Sequence, residues 1–320
     1  MSKILTISIP TYNRPGRIKT LVSDLIDADL LEFIEVNVHD NSDIDIQNLN
    51  KLSCINVNYF PNLSNLGYGG NVRKCIEKAT GDYLFIISDD DGYDFSKIVT
   101  ILKLLSENKC GALALTCVLS TDATQKFNTL LNPSKLESMT LGEILDSTDV
   151  VTPFNLLPSV IVETTLMKRG MLLFPTRDNG YMHAMLFLMG AAPETKVMFD
   201  RSEFIVTYNV PEKIQFNVYS LLKSKEDITD ILRKNFNVNR SSGLEVLEIS
   251  KWCFMSNIGV NKAQYGFRQV LYFTYKSLMV LKLSPIFFLW LGLLPSVLKN
   301  QLYKLYLRLK SARIISRDIE

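Results

Sequence analysis

An α/β fold, a mainly parallel sheet with helices on both faces, is predicted for this chain by three observations. Short β-rich runs alternate with segments whose apolar residues recur at helical spacing. The polar clusters of the first half all fall where those runs end, which in such sheets is where ligands bind. The chain has 320 residues, 47% hydrophobic and 21% charged, enough for a sizeable core and outside the range of disordered or collagen-like chains.

Taken in order, Lys3–Ile9 is β-rich and stops at Pro10-Thr11-Tyr12-Asn13-Arg14-Pro15-Gly16, a loop signal. Ile18, Leu21, Val22, Leu25 and Ile26 follow on one helical face. Phe33–Val38 reads as a second strand ending at His39-Asp40-Asn41-Ser42-Asp43, and Ile55–Tyr59 as a third. The loop Asn65-Leu66-Gly67-Tyr68-Gly69-Gly70 leads into a helix marked by Val72, Cys75, Ile76 and Ala79. Tyr83–Ile87 is an apolar strand that stops at Ser88-Asp89-Asp90-Asp91-Gly92. A helix through Ile98, Ile101, Leu102 and Leu105 and a strand at Ala112–Leu119 complete the regular part. The stretch Thr121–Asp200 is less regular, with a strand expected at Leu156–Val162 and a helix at Tyr181–Met189. Phe204–Tyr208 reads as one more strand, and the chain beyond Pro211 as mostly helical. This divides the protein into a domain over 1–210 and a helical region over 211–320.

Charge is unevenly distributed. Asn261–Glu320 holds ten Lys/Arg and two Asp/Glu, against 35 and 33 in the whole chain, so an acidic body precedes a basic tail. Leu283–Leu298 is almost wholly apolar, but Lys282, Lys299, Pro285 and Pro295 confine it to less than the 20 or so residues of a spanning helix. Leu298, Leu302, Leu305 and Leu309 then form a stripe flanked by Lys299, Lys304, Arg308 and Lys310. An apolar wedge followed by a basic amphipathic helix fits binding in the plane of an anionic membrane surface; a helical hairpin packed on the body is the alternative. The tail's cations are too interleaved with Leu and Phe for nucleic acid. Five scattered cysteines without a C-x-x-C pair, and an N-terminus without a signal-peptide pattern, indicate reduced thiols and a cytoplasmic protein.

The Asp89-Asp90-Asp91 run is the sharpest chemical feature. Three successive carboxylates repel one another, and burying them unpaired at the end of an apolar strand is expensive. Hard oxygen ligands suit Mg²⁺ or Mn²⁺, which bridges to substrate phosphates. A solvated acidic turn with Asp94 as a helix N-cap is the other local reading. Asp40 ends the second strand, where a carboxylate accepts a base or ribose hydrogen bond, or simply shapes a turn. The glycines from Gly67 onward allow backbone N–H groups to approach phosphate, although neither the dinucleotide fingerprint nor the P-loop is present. Arg73, one turn later, suits a phosphate partner or the surface.

In combination these segments resemble family 2 glycosyltransferases of the GT-A fold, a Rossmann-like architecture. Ile7-Ser8-Ile9-Pro10-Thr11-Tyr12-Asn13-Arg14 resembles their opening strand and loop. His39-Asp40-Asn41-Ser42-Asp43 resembles their second-strand signature, without its glycine. Asn65 through Asn71, then Ala79-Thr80-Gly81-Asp82-Tyr83-Leu84, resembles the helix leading to the metal strand, and Asp89–Asp91 occupies the place of the D-x-D motif. The resemblance implies a nucleotide-sugar donor contacted by Pro10, Thr11, Asn13, Asp40, Asn65, Gly67, Asn71, Arg73, Asp89 and Asp90, with Asp91 ligating Mn²⁺ or Mg²⁺ on the diphosphate. It also implies a base for the acceptor hydroxyl. The family's usual Glu-Asp is absent. Asp178, in Phe174-Pro175-Thr176-Arg177-Asp178-Asn179-Gly180-Tyr181-Met182-His183, stands in its place, with His183 as the second candidate. The Gly-Tyr-Met-His pattern resembles bacterial O-antigen sugar transferases. The Gln-x-x-Arg-Trp of processive polymerases is missing, which implies addition of a single sugar.

The resulting expectation is a metal-dependent inverting glycosyltransferase, peripheral on the inner face of the cell membrane. It would act on a lipid-linked oligosaccharide acceptor in surface polysaccharide synthesis. An inactive scaffold of the same fold is one alternative. A sugar-1-phosphate nucleotidyltransferase is another, though its Gly-x-Gly-Thr-Arg opening is absent.

Overall fold

The computed structural model describes residues 3–27, 32–42, 56–120, 126–128, 138–146, 157–174, 180–207, 231 and 234–236. The apolar-basic tail and the division at 210/211 lie outside them, as does Asp178. Among the described residues no helix is long and apolar enough to cross a membrane.

The first half alternates as its periodicity predicts. Strand β1 (Leu5–Thr11), helix α1 (Pro15–Asp27), β2 (Ile34–Asp40) and β3 (Val57–Pro61) are followed by α2 (Gly67–Lys78), β4 (Tyr83–Ile86), β5 (Gly92–Tyr93), α3 (Ile98–Glu107) and β6 (Ala112–Ser120). The second half adds β7 (Lys126–Asn128), β8 (Ser138–Thr140), α4 (Leu141–Asp146), β9 (Val160–Glu163), α5 (Thr164–Leu173), α6 (Met182–Gly190) and β10 (Lys196–Thr207). The main path of the sheet runs β3-β2-β1-β4-β9-β6-β10-β5. β1 pairs in parallel with β2 and β4, β2 with β3, and β6 with β10. β9 runs antiparallel between β4 and β6. The sheet is therefore mixed and mostly parallel, with its parallel half carrying the polar strand ends.

Its two faces are covered differently. Leu5, Ile7, Ile9, Ile34, Val36 and Val38 point to one face and pack with Ile18, Leu21, Val22 and Leu25 of α1 and with α3. The alternate residues Thr6, Ser8, Glu35, Asn37 and His39 are polar, a pattern that normally marks a solvated face, yet all are buried. Hydrogen bonds offset that burial. Glu35 accepts from Thr6 Oγ1 (2.8 Å), Thr80 Oγ1 (2.9 Å) and Asn58 Nδ2 (3.2 Å). Asn58 also donates to Asn37 (2.9 Å).

Ser8 Oγ has no hydrogen-bond partner among the described residues, and the larger exception in this polar layer is His39. It is fully buried, stacked on Phe60 at 5.1 Å, and neither ring nitrogen has a hydrogen-bond partner among the described residues. Burial, aided by the charges of Lys78 and Lys74 against that of Glu77, pushes its pKa down to about 3. An unfolded histidine takes its proton near pH 6.5. Below that pH the unfolded chain binds a proton that the folded one refuses. The stability is therefore whole above pH 6.5 and falls by about 1.4 kcal/mol per pH unit until it levels near the folded value. Urea titrations of the wild type and His39→Leu should differ in their loss between pH 7 and pH 5 by about 2 kcal/mol; parallel losses would contradict this account.

Three helices on the opposite face of the sheet from α1 are joined at their C-terminal ends by cations. Lys168 of α5 donates to the carbonyl of Ala79, the C-cap of α2 (2.8 Å). Arg73 of α2 donates to Phe174, the C-cap of α5 (2.7 Å), and to Met171 (3.0 Å). Arg169 of α5 donates to Gly190 at the end of α6. Each satisfies carbonyls that a helix end leaves open and sits at the negative end of the dipole. Where α5 crosses α6, Gly170 and Gly190 let the two backbones touch: a Cβ at either would lie 1.8 or 1.9 Å from a carbonyl oxygen of the other helix.

Candidate active site

Parallel register brings the predicted residues together. Thr11 and Asp40 are Cα partners at the ends of β1 and β2. On the other side of β1 the ladder stops at Ser8 and Ile86, extended by one bond from Ile87 N to Ser8 O (3.0 Å). Pro10, the next residue of β1 whose backbone faces β4, has no N–H to continue it. Beyond that point side chains take over in the same register, and Thr11 Oγ1 donates to Asp89 Oδ2 at 2.6 Å.

Asp89 is 6% exposed and Asp90 32%. Burial raises the pKa of Asp89, opposed by the Thr11 bond and by Arg14. One nitrogen of Arg14, Nη1, lies 2.6 Å from Asp89 Oδ1 and 3.0 Å from Asp90 Oδ2. Ser88 Oγ also donates to Asp90. The Oδ1 atom of Asp91 is buried and receives no hydrogen bond among the described residues. The phenol of Tyr93 closes the turn, accepting from Ser88 N (2.8 Å) and donating to Ser88 O (3.0 Å). Asp94 caps the short 3₁₀ turn Phe95–Lys97 through Ser96 N (3.1 Å). The N-cap expected of Asp94 is thus present alongside a partly buried acidic cluster.

Asp40 is buried with both oxygens engaged. Ser42 donates to Oδ1 through its N–H (2.8 Å) and its hydroxyl, and Tyr59 donates to Oδ2 (2.8 Å). Asn13 has φ 55°, a left-handed conformation that asparagine tolerates, and its N–H donates to Ser42 Oγ (2.7 Å). The loops after β1 and β2 are thereby tied together.

An amide network fixes α2 against these loops. Asn41 donates to Asn65 (2.8 Å) and to the carbonyl of Gly67 (3.1 Å), and accepts from Leu66 N (2.9 Å). Asn62 donates to Asn41 (3.1 Å) and Asn71 (3.0 Å), and Asn71 donates to the carbonyl of His39 (3.0 Å). Gly67 has φ 69°, which a side chain would strain. At the first turn of α2, Tyr68 Oη lies 3.2 Å from Nδ1 of His183, which is 6% exposed on α6.

The structure thus gathers Pro10, Thr11, Asn13, Asp40, Asn65, Gly67, Asn71 and Asp89–Asp91 at one end of the parallel strands, and links His183 to the same helix start. Arg73 is placed elsewhere, on the carbonyls that end α5. Asn65 and Asn71 make protein–protein hydrogen bonds. Sequence reasoning did not single out Arg14, Tyr59, Asn62 or Tyr68. Arg14 stood in a quoted motif, and the need of adjacent acids for a counter-charge was the available signal.

Among the described residues there is no group of three or more His, Cys, Asp or Glu side chains arranged around a common metal position. A cation that takes one or two carboxylates and completes its shell with diphosphate oxygens and water requires no such group. The donor set at the end of β4, hard carboxylate oxygens including the buried Oδ1 of Asp91, fits Mg²⁺ or Mn²⁺ on those terms.

No curated protein sequence is significantly similar to the chain. Its fold is similar to those of solved structures at low identity. S. aureus TarS 1-349 in complex with UDP-GlcNAc matches at a TM-score of 0.54 and 15% identity, over 79% of this chain and 72% of that one. The UDP complex of the same protein matches at 0.55 and 15%, over 82% and 75%. The mannosyltransferase PcManGT from Pyrobaculum calidifontis, in complex with GDP-Man and Mn²⁺, matches at 0.51 and 13%, over 96% and 88%. The family model "Glycosyl transferase family 2" matches residues 6–172, more than half of the sequence, a span from β1 through α5 that includes the whole acidic cluster; the chain belongs to glycosyl transferase family 2.

Proposed function

We propose that the protein is a metal-dependent, inverting glycosyltransferase. It would pass one sugar from a nucleotide-sugar donor to a lipid-linked glycan in bacterial surface polysaccharide assembly. The observation that carries this reading is the acidic cluster Asp89–Asp91, set in register with Thr11 and Asp40 at the ends of three adjacent parallel strands. Family membership supports transferase chemistry, and the nucleotide-sugar complexes of TarS and PcManGT support the donor class.

In this reading Asp40, whose oxygens are taken by Ser42 and Tyr59, accepts the base or ribose hydrogen bond in exchange for one from Ser42. Thr11 and Asp89 close the nucleoside side of the site. Asp91 would hold Mn²⁺ or Mg²⁺, whose chemistry is to stabilise charge on the diphosphate as it leaves. Asp178 or His183 takes the proton of the acceptor hydroxyl while its oxygen attacks the anomeric carbon and the bond to the diphosphate oxygen breaks. Tyr68, against Nδ1 of His183, fixes the orientation of that ring. The apolar-basic tail is the part of the sequence that suits a membrane-embedded acceptor and a peripheral position on the inner face of the membrane.

Calorimetry with UDP-, GDP-, dTDP- and CDP-sugars, each with and without Mn²⁺, tests this directly. One nucleotide class should bind, and Mn²⁺ should tighten it at least about tenfold, the scale expected where one cation bridges carboxylate and diphosphate. Absence of binding by every donor would sink the enzymatic reading in favour of a scaffold.

A further inference from the structure

We infer that Arg14 is a built-in counter-ion that keeps the acidic cluster closed to a free divalent cation, and yields it to a cation that arrives with a nucleotide. The inference rests on the reading of Asp89–Asp91 as the clamp for the donor's cation, and says in what order that clamp is filled.

Three observations lead to it. First, Nη1 of Arg14 stands between Asp89 and Asp90, 2.6 and 3.0 Å from their oxygens, while the other oxygen of Asp89 is taken by Thr11. The guanidinium neutralises one of three adjacent negative charges. A divalent cation held by Asp91 beside these two carboxylates meets the positive charge of the guanidinium that they bind, and the two repel. Second, Arg14 is 37% exposed whereas Asp89 is 6% exposed. The guanidinium therefore covers the cluster from the solvent side and can leave without disturbing the core. Third, the backbone that aims Arg14 is tethered to the nucleoside side of the site. Asn13, at φ 55°, donates to Ser42 Oγ, and Ser42 donates to Asp40. A base or ribose that hydrogen-bonds Asp40 competes with Ser42 and loosens this tether. The incoming diphosphate then offers the released guanidinium the bidentate oxygen acceptor that suits it.

Mn²⁺ binding followed by the electron paramagnetic resonance of the free ion provides a readout that does not depend on turnover. With MnCl₂ alone, R14Q should bind at least tenfold more tightly than the wild type, and R14K, which keeps the charge, should resemble the wild type. Equal affinities in wild type and R14Q, or R14K behaving like R14Q, would overturn the inference. With UDP, GDP, dTDP or CDP present, Mn²⁺ should bind the wild type more tightly than without it, and that enhancement should shrink in R14Q. An enhancement as large in R14Q as in the wild type would also overturn it. Failure of every nucleotide to bind either protein would instead overturn the donor reading, with the nucleotide-free comparison still deciding whether Arg14 guards the cluster.

Discussion

Replacing Asp91 with asparagine is expected to lower sugar transfer about a thousand-fold, in the range seen when one element stabilising a transition-state charge is removed. Asparagine keeps the shape of the side chain and its place in the turn braced by Tyr93. What it loses is the charge that would anchor a cation on the departing diphosphate. The effect is specific to that step. Metal-free nucleotide binding through Asp40 and Thr11 should persist, while the enhancement by Mn²⁺ should vanish. A steady-state rate within tenfold of the wild type, or unchanged Mn²⁺ enhancement, would remove Asp91 from the clamp.

Replacing Gly170 with alanine is expected to cost at least about 3 kcal/mol of stability, the upper part of the range for overpacking. Its Cβ would lie 1.8 Å from the carbonyl oxygen of Leu186, and the opposing Gly190 is as close to the carbonyl of Leu166. Both obstacles are backbone, so no side-chain rotamer relieves them, and the helices must separate. Thermal melts should show a fall of roughly 6–12 °C for a body of this size. A melt within 2 °C of the wild type would mean that α5 and α6 do not meet at these glycines. Gly190→Ala should behave alike, because the contact is mutual.

The first 120 residues of the fold were legible because their elements announce themselves locally. Ile18, Leu21, Val22 and Leu25 recur at helical spacing, and the runs at Leu5–Thr11 and Tyr83–Ile86 are bounded by loop residues. The antiparallel insertion of β9 between β4 and β6 was not legible, since a strand's neighbours are chosen by tertiary pairing and leave no periodicity of their own. Helix α5 was missed for a related reason. Its sequence TTLMKRGMLL opens on β-branched residues and holds the glycine that its crossing with α6 demands. The polar alternation along β1 and β2 carries no local sign of burial, and only the fold reveals Glu35 and Asn58 satisfying one another.

The site was legible in its acids and less so in its cations. Asp40 and Asp89 follow from the rule that ligands sit beyond strand ends, and Thr11 meets Asp89 where the β1–β4 register puts it. Arg73 shows the limit. An arginine one turn into such a helix suits a phosphate as well as the carbonyls of a neighbouring helix end, because both offer it oxygen lone pairs and negative potential. Local sequence does not distinguish the two, and here its partners are Met171 and Phe174.

The exchange of cations between α2 and α5 has a mechanical consequence. The first helix begins beside Asn41 and Asn65, and the second ends at the connection that precedes α6, the helix of His183. Each helix is pinned by a charge planted in the other, so neither can slide or tilt without pulling a guanidinium or an ammonium off its carbonyls. The two are braced as a single girder, which under the proposed function would keep the nucleoside side of the site at constant spacing from His183. Under that function, the breathing that lets spent nucleotide escape would fall to the loops at the strand tips, where Arg14 and the acids it covers are seated.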